Sequence, residues 1–300
     1  MRSKERTLHE RHRPPGGHEP NAGTSALKKR AAEGGEIAIA FDHVSKHYSL
    51  SLQKQATDFK TMLLHLPRFI AGARRPFVAL DDVSLQVRRG ESLGIIGPNG
   101  SGKSTTLRVM SRITPPTSGN VSVHGRVSAL LELGSGFHPQ ITGRENAILN
   151  AVLLGLTLSE ARAVLPDVIA FSELGDFIDQ PMRTYSSGMF FRLGFAVAVH
   201  VEPEILLLDE VLAVGDAEFQ KKCMDHIHGL RRKGATLVLV THQMLNLPQF
   251  CDRGILIEHG KITDEGAPQQ VVHNYLSRVE RLLSLHEEER EQLRMAQAAR

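Results

Sequence analysis

The sequence predicts an α/β fold with a mainly parallel sheet and a helical segment inserted into it. Three observations lead there. The runs Leu93-Gly94-Ile95-Ile96, Ile205-Leu206-Leu207-Leu208 and Leu237-Val238-Leu239-Val240 are strand-length and wholly apolar, the pattern of strands buried on both faces. The first of them is followed by a glycine-rich turn and then by Leu107-Arg108-Val109-Met110, which is compatible with a helix, so strand, loop and helix come in the order of a βα unit. From Thr142 to about Ile178 the apolar spacing changes to a helical one, which places a helical segment inside the α/β frame.

Composition narrows the class. A chain of 300 residues that is 41% hydrophobic buries a real core, in one large domain or a core with a smaller subdomain. No stretch approaches the roughly 18 uninterrupted apolar residues of a membrane span, and the charged, His-rich start has no apolar segment of the kind a secretory signal needs. The expectation is a cytoplasmic protein. Two cysteines, Cys223 and Cys251, exclude a disulfide framework and fit a reducing compartment. His226 and His228 lie near Cys223, but their spacing on one helix does not bring all three to a point, so no metal is expected there. The net charge of +3 is mild for this length and gives no case for nucleic acid as a partner.

Taken in order, residues 1–36 are rich in Arg, His, Gly, Pro and Ala and read as a disordered leader. Ile37-Ala38-Ile39-Ala40-Phe41 opens the ordered part as a strand that leads to Tyr48. Tyr48 has two readings, an aromatic that stacks on an adenine ring and a half-buried tyrosine at a strand end. Residues 50–75 interrupt the strand pattern with apolar residues on helical spacing, among them Met62, Leu63, Leu66 and Ile70, with Lys60, Arg68, Arg74 and Arg75 around them. This amphipathic insert either docks on its own domain or meets a membrane subunit or lipid headgroups. Strand patterns resume at Phe77-Val78-Ala79-Leu80 and again at Val83-Ser84-Leu85-Gln86-Val87.

The loop after Ile96 carries the strongest signal. Gly97, Pro98, Asn99, Gly100, Ser101, Gly102, Lys103, Ser104 and Thr105 make a full GxxxxGK[ST] phosphate-binding loop between a buried strand and a helix. Glycines let the backbone N–H groups turn inward around a phosphate chain, and the helix that follows points its free N-terminal donors at the same anion. Lys103 then sets an ammonium on the β and γ phosphates, and the Ser104 hydroxyl ligates Mg²⁺. Pro115-Pro116-Thr117-Ser118-Gly119 is a turn cluster, with a short strand at Val121 to Val123. Thr142-Gly143-Arg144-Glu145 starts one helix of the insert, and Thr157 caps a second that extends to Phe171. Beyond the insert comes Tyr185-Ser186-Ser187-Gly188-Met189.

The run that ends in Leu208 delivers Asp209 and Glu210 to the C-terminal edge of the sheet, where ligands of open α/β folds bind. Asp209 holds Mg²⁺ opposite Ser104, directly or through water, and Glu210 orients or polarises a water beside the γ phosphate. A helix over residues 217–232 precedes the run 235–241, and His242 follows that run at the same edge, where it contacts the γ phosphate or positions water. Two strands form a hairpin around His259-Gly260. From Pro268 a helix runs toward the end of the chain and becomes very polar from Glu287 onward.

Together these residues resemble the ATP-binding subunit of an ABC transporter. The phosphate loop is similar to its Walker A segment, Leu206 to Asp209 to its Walker B, Glu210 to its catalytic glutamate, Asp216 to the aspartate of its D-loop and His242 to its switch histidine. The resemblance covers residues 37–275, with residues 276–300 as a charged C-terminal helix. It implies a P-loop NTPase core with a mainly parallel sheet, an antiparallel β subdomain, and a helical subdomain at about 140–190. It also implies ATP and Mg²⁺ as ligands, Glu210, His242 and Lys103 as catalytic residues, and Tyr48 as the adenine-stacking aromatic. In the family two copies clamp ATP head to tail, so Ser186, Ser187, Gly188 and Asp216 of one copy are expected to complete the site built on Lys103 of the other.

Where most members read Leu-Ser-Gly-Gly-Gln, this chain reads Tyr185-Ser186-Ser187-Gly188-Met189. That variant, with Leu131-Glu132-Leu133-Gly134-Ser135-Gly136-Phe137-His138-Pro139 and the insert after Tyr48, looks like the polysaccharide-export branch. The implied partners are a second ATPase subunit and a separate dimeric transmembrane permease, at the cytoplasmic face of the inner membrane. No glutamine stands before Pro139 where the family's Q-loop has one; either Glu132 substitutes or coupling is built differently. After Tyr275 only a charged helix is present, so no direct glycan recognition is expected. The rival readings are an ATPase of the same fold for another exported substrate, and a soluble mechanical ATPase. Soluble members usually carry two cassettes or a long coiled-coil insert, and this chain has neither.

Overall fold

The computed structural model describes residues 35–49, 76–132, 136–209, 216–241 and 244–298. The predicted leader up to residue 34, the amphipathic insert 50–75, and the segments that carry Glu210 and His242 lie outside the described residues. Two sheets organise the rest. Strands β1 (Ile37–Ser49), β2 (Pro76–Arg88) and β4 (Ser118–Val123) form an antiparallel sheet in the order β2-β1-β4. The two strand patterns predicted on either side of Asp82 are one continuous strand, β2. Asp82 takes a positive φ of 56° and His43 on β1 one of 51°, so both strands bend at the same level. His43 Nδ1 lies 2.7 Å from Asp82 Oδ1 across that bend.

The second sheet is mainly parallel. Strands β3 (Ser92–Ile96), β5 (Val127–Ala129), β6 (Ile205–Leu208), β7 (Thr236–Val240), β8 (Arg253–Glu258) and β9 (Lys261–Gly266) lie in the order β5-β6-β7-β3-β8-β9. Only the β8 and β9 pair is antiparallel, closed at His259 and Gly260 with φ of 49° and 79°, the doubly left-handed geometry of a two-residue hairpin turn. Every residue of β3, β6 and β7 is buried, as wholly apolar strands between two layers require. Alternate residues serve different cores. Ile95, Leu207 and Val238 face the antiparallel sheet, while Ile96, Leu206 and Leu237 face the helices.

Helix α1 (Lys103–Met110) follows β3. The insert holds α2 (Gly143–Leu153), α3 (Leu158–Ser172) and α4 (Ser187–His200), and α5 (Ala217–Arg232), α6 (Leu247–Phe250) and α7 (Pro268–Ala298) complete the chain. Thr142 and Thr157 start α2 and α3 with full capping boxes, each side chain accepting from the backbone N–H of Glu145 or Glu160 while that glutamate accepts in return. Phe171 of α3, Phe195 of α4 and Phe219 of α5 pack ring to ring at 5.7 to 6.4 Å and tie the insert to the helical face of the main sheet.

Candidate functional site

The site begins where β3 ends. Because β3 lies between β7 and β8, the loop after Ile96 opens at the middle of the sheet's C-terminal edge. Gly102 caps α1 in a left-handed conformation, and a glycine cap carries no side chain to cover the first N–H groups of that helix. Lys103 is only 6% exposed, and its Nζ donates to the carbonyls of Gly97 and Pro98, both at 2.8 Å. An ammonium is thus held inside the ring of backbone that the loop makes.

Opposite the loop stands Asp209, the residue after β6. The Ser104 hydroxyl lies 3.4 Å from Asp209 Oδ2, a pairing of a hydroxyl and a carboxylate oxygen of the kind Mg²⁺ accepts from proteins. A cleft of about 320 Å³ covers these groups and is lined by Asn99, Gly100, Lys103, Ser104, Thr105 and Asp209. Loop donors, a buried cation and a hard oxygen pair therefore share one opening, and their chemistry fits a triphosphate with its divalent metal.

The far wall of the cleft was not legible as such in the sequence. Phe77 and Ala79, two apart on β2, both line it, and Phe77 is 45% exposed. Tyr48 is the direct cross-strand partner of Phe77, with Lys46 Nζ 5.2 Å from its ring. The parity of β2 is the signal that marks Phe77: it falls on the same side of the strand as Ala79, toward the phosphate loop.

The remaining predicted residues lie elsewhere. Ser186 caps α4 and accepts from Met189 N at 3.2 Å, so Ser187 and Gly188 open the first turn of that helix. Asp216 caps α5, accepts from Phe219 N at 2.9 Å and pairs with Arg192 at 2.5 Å. The Phe219 N–H, and after it the Arg192 guanidinium, hold the Asp216 carboxyl below its ordinary range. None of Ser186, Ser187, Gly188 or Asp216 lines the cleft that Lys103 lines. Glu210 and His242 follow Asp209 and Thr241 in the chain and lie outside the described residues.

Comparison with known proteins agrees with this geometry. Residues 80–213 match the family model described as ABC transporter. The O-antigen export system ATP-binding protein RfbB of Klebsiella pneumoniae is 44% identical over 80% of this chain and 98% of its own length. The protein of the same name from Myxococcus xanthus is 45% identical over 80% of this chain but 55% of its own, so the chain spans about half the length of that relative. The teichoic acids export ATP-binding protein TagH of Listeria monocytogenes is 41% identical over 81% of this chain and 70% of its own length. Among solved structures, the ATP-binding cassette MJ0796, in a dimeric post-hydrolysis state bound to ADP and Pi, superposes with a TM-score of 0.60 at 23% identity, over 77% of this chain and 98% of its own. A phosphate loop on the central strand, a serine and aspartate facing each other across it, and relatives this similar over nearly their whole length establish that the chain belongs to the ABC transporter family, among its ATP-binding proteins.

Proposed function

We propose that this protein is the ATP-binding and ATP-hydrolysing subunit of an exporter that moves a lipid-linked polysaccharide of the capsule or O-antigen type across the inner membrane. The observation that carries the reading is the cleft in which Lys103, Ser104 and Asp209 converge at the end of β3 and β6, taken with relatives whose names state O-antigen and teichoic acid export. Lys103 holds the β and γ phosphates and the loop N–H groups surround them. Ser104 and Asp209 would hold Mg²⁺, which neutralises charge that develops on the phosphate oxygens. Glu210, next after Asp209, orients the attacking water and accepts its proton, and His242 contacts the γ phosphate. Tyr48 and Phe77 supply the aromatic surface for the base.

A second copy completes the site. Ser186, Ser187 and Gly188 stand at the start of α4, away from their own chain's cleft, and serve as γ phosphate donors to the partner's nucleotide, while Asp216, at the head of α5, is paired with Arg192 of α4. ATP thereby binds two subunits together, and hydrolysis lets them part. Among the described residues no helix is long and apolar enough to cross a membrane. In this reading a separate permease carries the polymer and this subunit binds that permease at the cytoplasmic face, in line with relatives named as export ATP-binding proteins. The outer side of α2 suits such a partner: Leu149, Val152 and Leu153 are exposed together, Leu153 by 65%.

The test is co-purification with candidate transmembrane permeases co-expressed from the same genome, with ATP turnover measured with and without them in lipid. Stable association and a changed turnover are expected. Failure to associate, with identical turnover in both preparations, would end the exporter reading while leaving the ATPase intact.

A further inference from the structure

The turn that presents Ser187 and Gly188 is braced from outside its own helix. Two stretches, residues 139–143 leading into the first residue of α2 and 180–183 before the turn, are laced by their main chains. Met182 N donates to Ile141 O at 3.0 Å, Arg183 N to Pro139 O at 2.9 Å and Gly143 N to Gln180 O at 3.2 Å, and Thr142 bridges Pro181. Asn146, fully buried on α2, anchors the first stretch. Its Nδ2 donates to the carbonyls of His138, Ile141 and Thr142, and its Oδ1 accepts from His138 N at 2.6 Å.

Tyr185 closes the second stretch. Its N–H donates to Met182 O at 3.0 Å, and its phenol donates to the carbonyl of Phe177 at 2.7 Å. The phenol also lies directly against the start of α2, since a Cβ added to Gly143 would sit 2.0 Å from the phenol oxygen. A hydroxyl and a missing methyl thus fill one space, on two segments some forty positions apart. Burial, and then the charge of Asp179, raise the pKa of Tyr185, so the phenol stays a donor through the neutral range.

We propose that Tyr185 is a positioning residue for the nucleotide-clamping turn: its phenol, seated against Gly143 and bonded to Phe177, makes residues 139–143 and the turn of Ser186, Ser187 and Gly188 move as one body. The proposal rests on the reading that this turn closes on the nucleotide of a second copy. Residues 139–143 lie downstream of β5, which pairs with β6, the strand that delivers Asp209. The tie sets the angle at which α4 offers its first N–H groups, and Tyr185 does not line its own chain's cleft.

The experiment compares the full-length wild type with Tyr185→Phe, Gly143→Ala and the double variant Gly143→Ala/Tyr185→Leu. It measures ATP turnover, ATP-driven dimer formation by light scattering, affinity for a fluorescent ATP analogue under conditions where the subunit is monomeric, and melting temperature. Tyr185→Phe keeps the ring and loses only the hydroxyl, so turnover and dimer formation should each fall about tenfold while monomer affinity stays within about twofold. Gly143→Ala should show the same split, and the double variant should lose about as much as either single change rather than the product of the two, because both act on one contact. Wild-type behaviour of Tyr185→Phe overturns the proposal, as does a parallel loss of monomer affinity and melting temperature, which marks a general folding role. A double variant whose losses simply multiply overturns it too. A wild type that neither hydrolyses ATP nor dimerises with it instead removes the nucleotide-clamp reading, and the proposal with it.

Discussion

At the scale of single residues, Gly97 is the tightest constraint on the phosphate loop. Its φ of 146° lies in the region that disfavours side chains, and a Cβ there would stand 2.1 Å from the carbonyl oxygen of Ile257 on β8. That neighbour is backbone in the strand beside β3, so it cannot swing aside. Gly97→Ala should destabilise the protein by about 3 kcal/mol, through clash and backbone strain together. The change should also weaken ATP binding, since the displaced loop carries the carbonyls that hold Lys103. A denaturant midpoint and analogue affinity equal to wild type would refute this. The loop was readable because its residue types are dictated by local backbone geometry. Phe77 was not, because what brings it to the cleft is the pairing of β2 with β1, a contact between positions far apart in the chain.

At the scale of elements, Arg253 joins strands of both sheets. From β8 its Nε donates to Glu91 at 2.6 Å and its guanidinium reaches Glu265 on β9 at 2.8 Å and the carbonyl of Gln86 on β2 at 2.5 Å. Arg253 and Glu91 are both largely buried, with side chains 17% and 15% exposed, so truncation leaves a carboxylate without its partner in a low-dielectric seam. Arg253→Ala should therefore cost about 3 kcal/mol, read as a lowered denaturant midpoint. Arg253→Lys should recover only part of it, because an ammonium lacks the planar fork that reaches three acceptors. A midpoint unchanged in Arg253→Ala would mean the seam is held by packing alone. Helix limits were more legible than strand limits for a physical reason. The capping residues Thr142 and Thr157 act within a few residues of themselves, so sequence reveals them. The join of two strand patterns into β2 depends on how Asp82 and His43 bend together, and no local signal carries that.

At the scale of the whole molecule, the parallel class of the main sheet was legible, while its order β5-β6-β7-β3-β8-β9 was not. Strands apolar on both faces carry no alternation from which register or neighbours can be read. Such a fold buries its cysteines as well as its aliphatic residues, and that sets its response to alkali. Burial pushes the thiols of Cys223, on α5, and Cys251, after α6, up to about 12 from an ordinary 9.0. A folded-state pKa above the unfolded one contributes stability that is complete below pH 9.0 and is lost as pH rises toward the folded value, because the unfolded chain releases its thiol protons first. On the acid side the sign reverses for the carboxylates. Lys222, hydrogen-bonded to Glu173, and Arg89, hydrogen-bonded to Glu204, hold those two carboxyls below their usual range. Their contribution is present above pH 4.5 and is lost as pH falls through the folded values. His226, depressed chiefly by burial and next by His200, begins to lose its share once pH drops below 6.5. Melting temperature should accordingly be flat near neutrality and fall at both ends. His226→Gln should remove the part of the decline that begins below pH 6.5, and Cys251→Ala should reduce the slope above pH 9.0 while leaving the acid limb as it was. Identical pH profiles for wild type and Cys251→Ala above that point would show that the buried thiols do not set the alkaline limit.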